Sequence, residues 1–150
     1  MEKVYDIARW FLSQDSMTHK KLQKLCYYAQ AWHCALHDGT PLFEDDIQVW
    51  VHGPVVVSLY SKYADYRWNP IPKQEFDESV LAENTLELLH SVYNTYGDLQ
   101  GCQLENLTQA EDPWKMARED LKPWEVCYKV IPCSDMQDYY GKKYQQEQGK

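Results

Sequence analysis

"KLQKLCYYAQAWHCALHDGTPLF", residues 21–43, holds the reading of the whole chain. Thr18 stands just ahead of it as a helix cap, and "HDGTP" stops it with a glycine and then a proline. The spacing predicts a helix over about residues 18–37. On a wheel of about 100° per residue, Leu22, Leu25, Cys26, Ala29, Trp32 and Leu36 share one side. The other side carries Tyr27, Ala31, Cys34 and Ala35 beside Lys20 and Lys24, which is not a normal solvated face. A helix that is apolar most of the way round is buried on more than one side, so this is the expected central helix. Its Leu/Trp side forms the main core, and its Tyr/Lys side meets a second layer or a partner. Gln23, Lys24 and Gln30 must find partners or emerge at the edges, because an unpaired buried polar group is costly.

Working outward, Val4, Ile7, Ala8 and Phe11 predict an amphipathic helix over residues 2–13. Downstream, "IQVWV" alternates Ile47, Val49 and Val51 against Gln48, Trp50 and His52, the pattern of a short strand. Gly53-Pro54 then reads as a sharp entry to another helix, with Pro54 at its first position and Val55, Leu59 and Tyr63 four apart along it. "NPIPKQEF" is a loop or edge segment. A long helix from Ser79 to about Tyr96 offers Leu81, Leu88, Leu89, Val92 and Tyr96 to the core, with Gly97 as its stop. A shorter helix, "LQGCQLENL", is weakened by Gly101, and Asp112-Pro113 reads as cap plus first residue of "PWKMARED". "VCYKVI" is a short strand or a loop, Ser134 opens a last helix, and residues 145–150 are expected to fray. The fold class is mainly α: a single compact helical domain over residues 1–150, with at most a short strand or hairpin.

Composition narrows the function. There are 12 Tyr and 6 Trp beside only 3 Phe, and such rings suit half-buried positions and interfaces. A net charge of −8 argues against general nucleic-acid binding and toward a basic partner. The five cysteines, at 26, 34, 102, 127 and 133, are odd in number. "MEKVYDIARWFLSQ" has no continuous apolar run, and no stretch approaches the roughly 20 apolar residues of a membrane span. The expectation is a cytoplasmic protein with reduced thiols and no membrane partner.

The usual chemical signatures are missing from the sequence. It contains no P-loop, GxGxxG or GxSxG, and only six glycines. Cys127 and Cys133 are separated by five residues without a second pair, and His33 and His37 lack the glutamate of HExxH between them. A thiol nucleophile assembled from Cys26, Cys34, His33, His52 or His90 is a combination any such chain offers, and cysteines are mostly buried. Asp45, Asp46, Glu111 and Asp112 read as caps and solvated charge. No catalytic, cofactor or metal site is expected, and the chain does not read as an enzyme.

Three segments in order are more specific: residues 21–43, "VWVHGPVVVSLYSKY" at 49–63 and "LTQAEDPWKMARE" at 107–119. Together they resemble the Panacea domain, the family of SocA-like antitoxins and phage-associated GepA-type proteins. Leu22, Gln23, Lys24, Leu25, Tyr27, Tyr28, Ala29 and Gln30 fit the first motif, with Pro41, Leu42 and Phe43 after its turn. Trp50, Gly53, Pro54, Val55 and Tyr60 fit the second; Thr108, Pro113, Trp114, Ala117 and Arg118 fit the third. Gln109 departs from the pattern, which commonly has histidine after the threonine.

The resemblance implies an antitoxin that neutralises a toxin encoded by the adjacent gene through direct binding. Its alternatives are an adaptor delivering the toxin to a ClpXP-type protease, or a phage- or prophage-encoded inhibitor of a host defence enzyme. A family serving many toxins should keep its scaffold and vary its contacts. Leu22, Gln23, Leu25, Tyr28, Trp32, Pro41, Phe43, Trp50, Gly53, Pro54, Tyr60, Thr108, Pro113, Trp114 and Ala117 are therefore read as scaffold. Lys24, Tyr27, Gln30, Tyr66, Trp68, Arg118, Tyr139 and Tyr140 are the candidate partner contacts, chiefly as aromatics near charge.

Overall fold

A computed structural model describes residues 1–149. Among them are seven α-helices and one antiparallel hairpin: α1 (Val4–Gln14), α2 (His19–Leu36), β1 (Ile47–Trp50), β2 (Gly53–Val56), α3 (Val57–Tyr63), α4 (Glu83–Tyr96), α5 (Gly101–Ala110), α6 (Asp112–Arg118) and α7 (Cys133–Gln148). Helix α2 starts where expected. The Thr18 hydroxyl accepts from the Lys21 N–H at 3.2 Å. It ends by unwinding through Asp38 and Gly39, both at positive φ, while the Gly39 N–H closes on the Cys34 carbonyl at 2.8 Å.

The sequence expectation of a central helix holds. Twelve of the 18 residues of α2 are buried, on both sides of the wheel. Helices α1, α3, α4, α5 and α7 and strand β2 all pack against it. The Tyr27/Cys34 side meets a second layer, α7, along most of its length. Leu36 is the exception: the wheel puts it on the core side, but in the last turn of α2 it is 43% exposed. The core continues through Trp10, Phe11, Phe43, Leu59, Leu89 and Leu104.

Several boundaries differ from the sequence reading. Gly53-Pro54 opens a strand, not a helix. Val49 faces Pro54 in the hairpin register, and the Val49 N–H is bonded on its other edge to the Lys129 carbonyl at 3.0 Å. Proline is tolerated there because that ladder position asks no donor of it. Helix α3 begins only at Val57. The long helix expected from Ser79 starts at Glu83, because the Asp77 carboxylate captures the Ser79 N–H at 3.0 Å and closes a separate turn over Glu78–Val80. Gly101 does little harm, since it lies at the first position of α5, behind a capping box of Gln100 and Gln103. Glu111, not Asp112, is the residue ahead of α6, and Cys133, not Ser134, opens α7.

Residues 126–131 run extended beside β1, with the Ile131 N–H on the Ile47 carbonyl at 2.8 Å and a bridge between Gln48 and Val130. Helix α7 continues through Gln148, across residues where fraying is expected; Lys150 lies outside the described residues. The reading of five reduced thiols is corrected at one pair. Composition speaks to the compartment, but the fold brings the end of α2 against the start of α7. There Cys34 and Cys133, 99 residues apart in sequence, form a disulfide with Cα atoms 6.0 Å apart.

Candidate functional site

The polar residues of α2 fall into three groups. Two glutamines hold extended backbone. The Gln23 amide donates to the Val56 carbonyl at 3.1 Å and accepts the Val56 N–H at 2.8 Å, fixing the end of the hairpin. Gln30 donates to the Phe43 carbonyl at 2.8 Å and accepts the Leu42 N–H at 2.7 Å, fixing the chain after the turn. Each side chain substitutes for a strand neighbour and satisfies its own amide in doing so.

The second group is a phenol cluster between α2 and α7. Tyr28 and Tyr140 both donate to Glu111 Oε1, at 2.6 and 2.9 Å, and the Tyr27 and Tyr140 hydroxyls are 3.0 Å apart. Tyr28 stacks on Tyr96 at 3.9 Å, whose hydroxyl accepts from the Trp32 indole at 2.9 Å. Lys143 Nζ reaches Glu111 Oε2 at 3.4 Å. Burial pushes the Tyr27, Tyr28 and Tyr140 phenols well up, so they act as hydrogen-bond donors at neutral pH. Glu111 is corrected from a solvated charge to a buried acceptor, only 3% exposed, that gathers three elements.

The third group is Lys24 at the floor of a cavity of about 600 Å³. The cavity lies between α2, the hairpin, the end of α3 and residues 126–128. Trp50 forms one wall, with Tyr60 edge-on at 4.9 Å and Tyr128 at 6.2 Å; Trp68 stands at the mouth, 88% exposed. Lys24 Nζ donates to the Pro54 carbonyl at 3.3 Å. Burial lowers its amine to about 7, against the opposing pull of Glu105 and with some help from Lys20.

Beside it, burial and then Lys24 lower His19 to about 4, so the imidazole is neutral. Its Nε2 accepts from the Gln23 amide at 3.1 Å, because that amide's oxygen is committed to Val56. Glu105 lies behind the wall, pairing with Lys20 at 2.8 Å and His52 Nδ1 at 3.5 Å.

The three sequence segments meet at Lys24. Gly53, at φ +107°, passes so close that a Cβ there would stand 2.9 Å from Lys24 Cε and 3.2 Å from Thr108 Oγ1. Only glycine meets both demands. The Thr108 hydroxyl bonds back to the Glu105 carbonyl at 2.8 Å. Gln109, where the resemblance leads one to expect histidine, donates to the Val51 carbonyl at 2.8 Å and holds the hairpin turn. The Trp114 indole donates to the Trp50 carbonyl at 3.2 Å. Arg118 is 2% exposed, lies over the Trp114 ring at 4.8 Å and donates to the carbonyls of Val49, Lys122 and Glu125 at 3.2, 2.9 and 2.6 Å.

Of the residues read as partner contacts, Trp68 and Tyr66 are exposed and Tyr139 is half-buried, edge-on to Tyr140 at 4.9 Å. Tyr27, Gln30, Arg118 and Tyr140 lie inside the fold, bonded within the chain. Of the residues read as scaffold, Leu22, Leu25, Tyr28, Phe43 and Trp114 are buried, and so are Gly53, Pro54 and Pro113. Trp32, Pro41 and Ala117 are half-buried, whereas Tyr60 is 44% exposed on the cavity wall. Arg67 and Tyr128 also border the cavity and were not singled out in the sequence. Arg67 sits between Tyr66 and Trp68, so the aromatic-plus-charge signal in "YRWNP" was there to be used. Tyr128 is brought over by the pairing of residues 126–131 with β1, which no local pattern announces.

The family described as antitoxin SocA-like, Panacea domain, matches residues 22–115, and the chain belongs to it. That span runs from the start of the central helix to Trp114, taking in Lys24, Gly53 and Thr108. No curated protein and no solved structure matches the chain. Among the described residues no helix is long and apolar enough to cross a membrane, and no group of three or more His, Cys, Asp or Glu is placed to hold a metal ion.

Proposed function

We propose that this protein is an antitoxin that neutralises a cognate toxin, encoded by the adjacent gene, by binding it directly. Membership of the SocA-like antitoxin family supports the toxin as partner. The observation that carries direct binding is an aromatic face. Tyr60, Trp68, Val126 and Tyr128, all exposed, and half-buried Trp50 gather around one cavity mouth, with Trp124 two residues from Val126 at 69% exposure. Exposed tryptophan and tyrosine in one patch are what interface anchors are made of. Tyr66 and Trp68 are the proposed contacts on one rim and Tyr128 on the other, while Tyr27, Gln30, Arg118 and Tyr140 maintain the shape that presents them.

Co-expression with the adjacent gene tests this reading. The neighbour alone should stop growth, this protein should restore it, and the two should co-elute on size exclusion. Trp68→Asp and Tyr128→Asp should abolish rescue while leaving the circular dichroism spectrum unchanged. A complex that survives both charges would move the contact elsewhere. Rescue without a stable complex, lost in a host lacking a ClpXP-type protease, would replace blocking by delivery to proteolysis.

A further inference from the structure

The cavity over Lys24 has a charge pattern at odds with the rest of the chain. The protein carries 23 acidic against 15 basic residues, yet none of the residues lining this cavity is acidic, and five are Lys, Arg or His. Three of those five are already answered. Lys20 and His52 face Glu105, and His19 is held neutral by burial. Lys24 and Arg67 are left. Among the described residues Arg67 has no ion-pair partner. The Lys24 ammonium has three protons to donate and a single acceptor, the Pro54 carbonyl, at 3.3 Å. A buried amine so thinly satisfied costs stability unless something else completes it. Around it stand flat rings and an open mouth, and about 600 Å³ lies within the range of small-ligand sites.

We infer that this cavity binds a small organic anion carrying a flat ring. The ring lies among Trp50, Tyr60, Trp68 and Tyr128, and the anionic group is drawn to Lys24 with Arg67 adding its field at the mouth. A carboxylate or a phosphate supplies the same chemistry here: an acceptor for the free ammonium protons and a counter-charge for two cations without an ion pair. The rings supply stacking faces for any planar body. The inference goes beyond the antitoxin reading and does not depend on it, since it concerns the interior of the cavity and not what docks over it.

Isothermal titration of the full chain at low salt tests it, with indole-3-acetate and AMP as probes and indole-3-acetamide and adenosine as their uncharged counterparts. At least one anion should bind with micromolar to sub-millimolar affinity, and its neutral counterpart at least tenfold more weakly. Binding of AMP alone assigns the site to phosphates, and of indole-3-acetate alone to carboxylates. Lys24→Met should weaken binding at least tenfold and Arg67→Gln severalfold. Arg67 is exposed, so its variant keeps the test open should Lys24→Met fail to fold.

Indole-3-acetate stays ionised from pH 6 to 9. Its affinity should therefore fall as pH rises above 7, as the Lys24 amine loses its proton. The groups facing that amine are Glu105 from α5, Lys20 and His19 from α2, and His52 from the hairpin turn. Those groups all remain in Lys24→Met, so loss of the pH dependence in that variant assigns it to Lys24. Failure of both anions to bind at millimolar concentration, equal binding of the neutral counterparts, or affinities unchanged in both variants would each overturn the inference.

Discussion

Helix α2 carries two buried polar centres about a turn apart in sequence, and they are built on opposite terms. In one, Tyr27 and Tyr28 join Tyr140 around Glu111, and each phenol has a partner within 3.0 Å. In the other, Lys24 is just as buried but holds one carbonyl at 3.3 Å beneath an open, ring-walled cavity. A closed network of this kind rigidifies a core, whereas an open one stores a binding capacity at a cost in stability. Burial alone therefore does not distinguish the two centres; satisfaction of hydrogen bonds does.

The largest effect should come from breaking the closed centre. Glu111→Ala strands two phenol hydroxyls and leaves a void among packed rings. It should lower unfolding free energy by about 4 kcal/mol, read by urea denaturation. A loss below about 1 kcal/mol would mean that the phenols satisfy one another without the carboxylate, and the contrast would fail on its closed side.

The open centre should respond with the opposite sign. The Lys24 amine sits at about 7 in the folded chain and near 10.4 when unfolded. Between those values the unfolded state binds more protons, so stability rises with pH. The burden imposed by Lys24 is fully present below about pH 7 and is lifted as pH climbs toward 10. Lys24→Met, which keeps the length of the side chain and removes the charge, should stabilise the protein at pH 6 by about 3 kcal/mol. The gain should shrink toward zero near pH 10. Chemical denaturation of both proteins at pH 6, 8 and 10 checks it; a variant that is less stable at pH 6 would show that Lys24 is well solvated or paired.

Gly53→Ala probes the boundary of the open centre. The added Cβ would meet Lys24 Cε at 2.9 Å at a φ of +107° that alanine resists, for a loss of about 2 kcal/mol in the same assay. Combined with Lys24→Ala, which removes the clashing carbons, Gly53→Ala should cost about 1 kcal/mol less than it does alone. Simple additivity of the two changes would show that the glycine is needed for its backbone angle only.

Much of the closed architecture was legible because it rests on local periodicity. The caps at Thr18 and Gly97, the two-sided burial of α2 and the core residues of α4 follow from spacing over one or two turns. What was not legible depends on side chains that answer distant backbone. Pro54 looks like a helix start until Lys129 is known to take the Val49 N–H, and Glu111 looks like a cap until Tyr28 and Tyr140 arrive from 83 and 29 residues away. The cavity was half legible: Lys24 and Trp68 were singled out for residue type, but the grouping with Arg67 and Tyr128 exists only in the tertiary fold.

Trp68 gives the smallest effect on stability and the sharpest test of the comparison. It is 88% exposed, so Trp68→Ser removes little that folding buries, and unfolding free energy should change by no more than about 0.5 kcal/mol. A ring left in water at the mouth of a cavity has no structural work that would explain it, in contrast to Trp32, whose indole is bonded to Tyr96. If the open centre is a site, Trp68→Ser should weaken the tighter-binding of indole-3-acetate and AMP several-fold and lower rescue in the co-expression assay, with stability intact. Trp32→Phe, on the closed side, should do the reverse: it should cost about 1 kcal/mol for the lost hydrogen bond and leave probe affinity unchanged. Parallel losses of binding in both variants would mean that the two centres along α2 are coupled and that no line between scaffold and site runs between them.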